Sequence, residues 1–265
     1  MELVAAAKMR KAQAQTLATR QYANYAWKLI QNLSANSDPK LHRLLRVPNR
    51  NDRALLVVMS SNRGLIGGFN NHLIQTAVKY ADQFKAVDVV SLGKKGRDGL
   101  RKAGLAIVAD FEKKDTSGSV AEINSLAKLA SEDFIAGKYD KVTLVYMKFV
   151  STLVQKPEVL ELLPLHVPDR AVRTQIPNGD LLFEPTVDEV LEQVLPKLTV
   201  MQIYQALLET NAAEHSARMV AMKNASDSAA DLIDDLTLEF NQIRQAGITK
   251  EISEIVSGKL ALNQN

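Results

Sequence analysis

Residues 197–246 read KLTVMQIYQALLETNAAEHSARMVAMKNASDSAADLIDDLTLEFNQIRQA, fifty positions with neither glycine nor proline. At 1.5 Å of rise per residue a helix of that length would run about 75 Å, more than twice the diameter of a small domain. Such an element must extend beyond whatever it packs on. Residues 1–38 are also free of glycine and proline, so two long helices bracket everything between them.

The spacing of the apolar positions says what kind of helix this is. Met201, Tyr204, Leu208, Ala212, His215, Met219, Met222, Ser226, Ala229, Ile233, Leu236, Phe240, Ile243 and Gly247 follow one another at steps of three and four. That 3.5-residue period is the signature of a left-handed coiled coil. The amino-terminal segment offers a stripe at Leu3, Ala7, Ala14, Ala18, Tyr22, Tyr25, Leu29 and Leu33. The simplest partner for one end is therefore the other end, paired antiparallel with the tip projecting. The alternative is two amphipathic helices lying flat on a domain. Pro196 predicts that residues 187–195 form a separate turn or the first part of a kinked helix, with the rod starting at Lys197.

Between the helices the pattern changes. Residues 53–60, RALLVVMS, form a short β-branched run that enters a glycine turn at 61–68, SNRGLIGG. A helix follows over 70–84, capped by Asn70 or Asn71, with Leu73, Ile74, Ala77, Val78 and Ala81 on its apolar face. The alternation continues with strands at 86–92, 105–111 and 141–150 and helices at 94–103 and 119–136. This implies a mostly parallel sheet covered by helices, a Rossmann-like α/β domain inserted between the two ends. Residues 151–185 hold five prolines, Pro157, Pro164, Pro168, Pro177 and Pro185, and one edge strand at 158–165, a connector back to the long helix. The expected organisation is a helix over 1–38, an α/β domain over 53–185 and a second helix over 186–262.

Composition narrows the function. The chain has 265 residues, 46% of them hydrophobic and 24% charged, ordinary for a water-soluble globular protein. Without cysteine there is no disulfide framework, thiolate metal site or cysteine nucleophile. No apolar run approaches the roughly 18 residues that span a bilayer, and the start of the chain lacks the order of a signal peptide. The net charge of +3 conceals an asymmetry, because residues 1–53 hold ten Lys or Arg against Glu2, Asp38 and Asp52. A basic arm can bind nucleic acid, but these charges lack interleaved aromatics, so a solvated or protein-facing helix is expected.

Catalytic constellations do not emerge. The glycine turn has the spacing of neither a P-loop nor GxGxxG, and its glycines serve strand-to-helix geometry. His42, His72, His166 and His215 show no metal spacing, and His215 lies on the seam as a packing residue. Asp227, Asp231, Asp234 and Asp235 make an acidic stripe of surface charge. No catalytic residue, cofactor or metal is expected.

The segments EHSARMVAMKNA at 214–225 and IRQAGITKEISEIVSG at 243–258, with MELVAAAKMR at 1–10, the 62–70 turn and LELLPL at 160–165, closely resemble the gamma subunit of F-type ATP synthases. The resemblance covers almost the whole chain. It implies that the terminal helices form a central shaft inside a ring of alternating alpha and beta subunits, with the α/β domain at the foot against the epsilon subunit and the membrane c-ring. It implies a non-catalytic rotor that couples proton or other ion flow to ATP synthesis or hydrolysis at the beta subunits. The expected location is peripheral to the membrane, on the cytoplasmic side of a bacterial inner membrane or the matrix side in mitochondria.

By the same resemblance Arg244 and Gln245 would hydrogen-bond a loop of the beta subunit, and Arg218 and Thr249 would help hold the helix pair or its bearing. Met1, Ala5, Met9, Met222, Ile252 and Ile255 would provide bearing or helix packing. Three departures stand out. The turn has Asn62 and Ile66 where Asp and Cys are usual, and Lys259 replaces a usual Ala. Members usually carry a further stretch ahead of the counterpart of Met1, leaving open a piece of a longer chain or a shorter shaft tip. The cysteine-bearing loop of chloroplast forms has no counterpart. The rival readings are a nucleotide-dependent enzyme with a helical oligomerisation arm, and a coiled-coil adaptor or nucleic-acid tether.

Overall fold

A computed structural model describes residues 1–36, 42–46, 48, 52–113, 120–165 and 186–262. Helix α1 spans Glu2–Asn36, and a five-stranded sheet follows after a short 3-10 turn at Arg43–Leu45. Strands β1 (Arg53–Met59), β2 (Ala86–Leu92), β3 (Ala106–Phe111), β4 (Lys141–Phe149) and β5 (Gln155–Leu163) lie in the order β3-β2-β1-β4-β5. Helices α2 (Phe69–Ala81), α3 (Lys94–Lys102) and α4 (Val120–Ile135) connect the parallel strands, and α5 (Val187–Leu262) completes the chain. The prolines at 168, 177 and 185 and the expected helix start at Ser119 lie outside the described residues.

The central strand explains the layering. Ala54 through Met59 are fully buried, as a parallel strand covered on both faces must be. Leu55, Val57 and Met59 face one apolar cluster, with Leu126, Ala130, Leu144 and the first part of α5. Leu56 and Val58 face another, with Leu73, Ala77, Leu100, Ala12 and Ala212. This period-two alternation splits a uniformly apolar run into two cores. Strand β5 pairs antiparallel with β4 and closes the edge, which suits the backbone of Pro157.

The glycine turn works through side chains that the capping signals did not reveal. Helix α2 starts from Gly68 rather than from an asparagine cap. Asn70 instead turns back to Ser61, donating from Nδ2 to Ser61 Oγ at 2.9 Å while its Oδ1 accepts from the Ser61 N–H at 3.3 Å. Gly67 supplies the left-handed backbone of the turn at φ +58°. Gly93, at φ +104°, lies so close to Ser60 that a Cβ there would sit 2.7 Å from its carbonyl oxygen.

The chain forms two compact units, Met1–Val220 and Ala221–Asn265. Within the first, α1 and α5 run antiparallel: Thr16 Oγ1 lies 3.0 Å from the Leu208 carbonyl, and Thr19 Oγ1 donates to Gln205 Oε1 at 2.8 Å. Pairing increases along one helix as it decreases along the other. Thr16 Oγ1 also lies 2.9 Å from the Ala12 carbonyl, so one hydroxyl proton bridges two helices.

The face of α1 that makes this contact differs from the expected stripe. Ala5, Met9, Ala12 and Thr16 are buried, at steps of four, three and four. Leu3, Ala7, Ala14, Ala18, Tyr22 and Tyr25 are exposed, and Leu29 and Leu33 have side chains outside the described set. The larger apolar residues suggested one face, but close helix approach selects the face where alanines leave room and threonine hydroxyls reach a backbone.

Along α5 the seam is also revised. From Ile203 to Ser216 the helix is buried on nearly every side, including Glu209, Thr210, Asn211 and Glu214, so no narrow stripe exists there. Farther on, Ile233, Leu236, Phe240 and Ile243 are exposed. Pro196 neither starts nor divides the helix, which is continuous from Val187. The missing N–H leaves the Glu192 carbonyl without its usual donor, while Leu191, Leu195 and Leu198 anchor both flanks in the core.

The revised α1 face makes a direct prediction. Ala12→Leu overfills the buried seam and should cost about 1–3 kcal/mol, whereas Ala14→Leu on the exposed side should stay within about 0.5 kcal/mol. Urea unfolding of the two variants measures this, and equal or reversed effects would restore the other face.

Candidate functional site: the carboxy-terminal helix and its buried ion cluster

The second unit consists of the last part of α5, and it is exposed almost throughout. Leu232, Ile233, Leu236, Leu238, Phe240 and Ile243 are each more than half exposed. A helix with this many uncovered large apolar side chains is a surface built to be covered. Arg244, Gln245, Thr249, Ile252 and Ile255 belong to the same exposed stretch. Helical spacing sets them on one side, with Gln245, Thr249 and Ile252 at i, i+4 and i+7. The Thr249 carbonyl accepts from Ser253 Oγ at 2.9 Å. The Lys250–Glu254 pair, at 3.9 Å and largely exposed, adds little to stability.

Arg218 lies in the first unit and has a different environment. Its Nη2 donates to Glu214 Oε1 at 2.8 Å, and the other carboxylate oxygen, Oε2, accepts from Lys113 Nζ. The Lys113 and Glu214 side chains are only 3% and 5% exposed. Lys113 follows β3, and its carbonyl accepts from Asn62 Nδ2 in the glycine turn. Asn62 Oδ1 accepts in turn from the Lys94 N–H at 3.3 Å. Three loops at the carboxyl ends of the parallel strands are thus tied together, and Lys113 joins them to one turn of α5.

Electrostatics follow from this enclosure. Burial pushes the Glu214 carboxyl up, but Lys113 and Arg218 override it and hold the group below its ordinary value. Burial pushes the neighbouring His215 imidazole down against the upward pull of Glu214, and Arg218, Lys113 and Lys8 depress it further. Two cations around one carboxylate leave no room for a third positive charge.

The other expected packing positions divide. Ala5 and Met9 are buried and Met222 is half-buried, whereas Met1, Ile252 and Ile255 are exposed. Lys113 was not singled out by its sequence context, since a lysine after a strand carries no local signal. The Glu214–Arg218 spacing of four was readable as a helical ion pair.

Acidification tests the cluster. A histidine with a depressed folded value stays neutral in the fold while the unfolded chain protonates, so stability falls as pH drops below 6.5. Glu214 contributes above 4.5 and loses its contribution as pH falls through its lower folded value. His215→Gln should therefore remove up to about 1.4 kcal/mol per pH unit from the slope just below pH 6.5, leaving the decline at lower pH. Unfolding free energies across pH 4 to 8 measure this, and an unchanged slope would refute the assignment.

The ATP synthase family matches residues 1–262. The ATP synthase gamma chain of Chloroflexus aurantiacus (strain ATCC 29366 / DSM 635 / J-10-fl) is 41% identical over 268 residues, covering 99% of this chain and 91% of the relative. That of Herpetosiphon aurantiacus is 39% identical, covering 100% and 92%. Among solved structures, the Tetrahymena thermophila mitochondrial ATP synthase central stalk and c-ring contains a chain with TM-score 0.66 and 23% identity, covering 85% of this chain and 97% of that one. A chain of the Euglena gracilis mitochondrial ATP synthase rotor gives TM-score 0.55 and 17% identity, covering 93% and 98%. Those two likenesses concern the fold, whereas the identity shared with the bacterial relatives extends along essentially the whole sequence. This chain belongs to the ATP synthase gamma-chain family.

Proposed function

We propose that this protein is the central-stalk rotor of a rotary F-type ATP synthase, a non-catalytic subunit that couples proton flow to ATP synthesis or hydrolysis. The observation that carries the reading is the uncovered helix of the second unit in a chain whose full length matches gamma chains. Large apolar side chains from Leu232 to Val256 lie open, and a sleeve formed by a ring of alternating alpha and beta subunits would cover them.

The mechanism requires differential contact. A single asymmetric helix inside a ring of equivalent subunits touches each of them differently at any instant, so their nucleotide affinities differ. Turning the shaft moves those differences around the ring. Ile243, Ile248, Ile252 and Ile255 supply a non-directional bearing, while Arg244 and Gln245 make hydrogen bonds to a beta-subunit loop that can break and re-form at each step. Thr249 lies on the same side and extends that polar contact. Arg218 acts through Glu214 to hold the helix, Met1, Ala5 and Met9 serve as packing residues of α1, and Met222 as a packing residue of α5.

The α/β body serves as the foot, facing the epsilon subunit and the membrane c-ring. Among the described residues no helix is long and apolar enough to cross a membrane. Attachment would thus be peripheral and made through the complex, on the cytoplasmic face of a bacterial inner membrane. The adaptor or nucleic-acid tether is not favoured, because the relatives that match essentially the whole chain are ATP synthase gamma chains.

Reconstitution with alpha and beta subunits from a related bacterium tests the proposal. A single copy should join each ring, and Arg244→Ala with Gln245→Ala should change the ATPase rate by about tenfold, the scale of losing hydrogen bonds that involve a charged group. Failure of the wild-type chain to assemble would return the adaptor reading to consideration, and an unaffected rate in the double variant would remove the proposed grip.

A further inference from the structure

Glu214 is placed where a rotating helix would need a handle. Around it α5 presents its own buried Ala206, Ala212, Ala213 and Ser216, with Leu207 and Leu208 on the preceding turns. Apolar packing of this kind is non-directional. It resists exposure to water more than rotation of the helix about its own axis. Resistance to twist must come from bonds that fix an azimuth.

The polar contacts of α5 in this region fall into two sets. Thr16, Thr19 and Arg20 bind Leu208, Gln205 and Glu209, joining α5 to α1. Both partners there are terminal helices, so these bonds would turn with the pair. Among the described residues, the Lys113–Glu214 bond alone links an α5 side chain by hydrogen bonding to the sheet and its connections. It is buried, doubly charged and strengthened by Arg218 on the second oxygen. Its far end is fixed by Asn62, which holds the Lys113 carbonyl and the Lys94 N–H together.

We propose that Lys113, Glu214 and Asn62 form a torsional lock between α5 and the α/β body, making them positioning residues for energy coupling in the rotor. The proposal rests on the rotor reading. A carboxylate held roughly 5 Å from the helix axis, about half the diameter of a helix with its side chains, acts as a lever arm. Turning the body pulls Glu214 sideways, and a short charge-assisted bond resists that motion better than alanine contacts do. Arg218 orients the carboxylate so that one oxygen always faces Lys113.

The lock makes a prediction that simple packing does not. Replacing either residue alone by an apolar one leaves the other charge buried with no polar partner, which destabilises the fold, so Lys113→Met with Glu214→Met is the informative variant. Arg218, 20% exposed, turns to solvent when Glu214 is gone. Replacing both members of a buried ion pair by apolar residues of similar size commonly preserves stability. The double variant therefore keeps the helix buried but removes its azimuthal bond. Glu214→Gln is a second, isosteric variant that weakens the bond with little change in shape.

The experiment uses the complete ATP synthase reassembled with each variant in sealed vesicles, measuring ATP hydrolysis and ATP-driven proton uptake on the same preparation. With the lock lost, hydrolysis should stay within about twofold while protons moved per ATP fall by about tenfold, because slip at the foot does not stop the chemistry. Asn62→Ala should move the same ratio in the same direction by a smaller factor. A wild-type ratio in the assembled double variant and in Glu214→Gln would overturn the proposal, since packing alone would then carry the torque. An equal fall in both activities would also overturn it, because a merely structural pair behaves that way. If the wild-type chain fails to assemble or pump, the rotor reading itself fails, an outcome separate from either result.

Discussion

The arrangement depends on one constraint: a turn-rich α/β body and an amino-terminal helix together enclose residues 203–216 of α5 on nearly all sides. A helix interior to a protein pairs most of the polar side chains it carries. This segment carries Glu209, Thr210, Asn211, Glu214 and His215. Thr210 returns its hydroxyl to the Ala206 carbonyl at 2.8 Å, Glu209 meets Arg20, and Glu214 meets Lys113 and Arg218. The Arg20 and Lys113 pairings tie α1 and the loop after β3 to this helix, and the Thr210 and Arg218 bonds stay within it. Glu209 Oε2 and Ser216 Oγ are buried without a partner among the described residues.

Small residues make the enclosure possible. Ala5, Ala12, Ala206, Ala212 and Ala213 allow close approach, and threonine hydroxyls fill the space with bonds to carbonyls across the interface. Burial of the sheet is more conventional. Leu55 to Met59 divide between two apolar layers because a strand alternates its side chains. The contrast between the two units has the same origin. Where the chain supplies a cover, α5 buries leucines and Ile203 together with alanines and paired charges. From Leu232 onward its large apolar side chains are open to solvent, a surface of the kind that is built to be covered.

Local rules read much of this correctly and failed where two faces competed. The strands β1, β2 and β4 and helices α2, α3 and α4 were legible because their apolar periods are strong and their boundaries carry glycines or charges. The stripe on α1 was misread because Leu3, Tyr22 and Tyr25 outweigh Ala5 and Ala12 in hydrophobicity, although the smaller residues make the contact. Asn70 looked like a helix cap and proved to be the partner of Ser61, nine positions back. Arg218 was singled out through its resemblance to the family, but its tie to Lys113 through Glu214 spans 101 positions between the latter two and has no local signature.

By itself the sequence determined that two long helices flank an alternating α/β segment, since helix length, strand period and glycine placement are properties of neighbouring residues. It also carried the family resemblance, through segments long enough to be distinctive. Tertiary structure alone decided which side of α1 is buried, that Pro196 lies inside a continuous helix, and that Lys113 meets Glu214. The physical reason is that burial and ion pairing depend on what the rest of the chain brings near a residue, and side-chain period cannot specify a partner a hundred positions away.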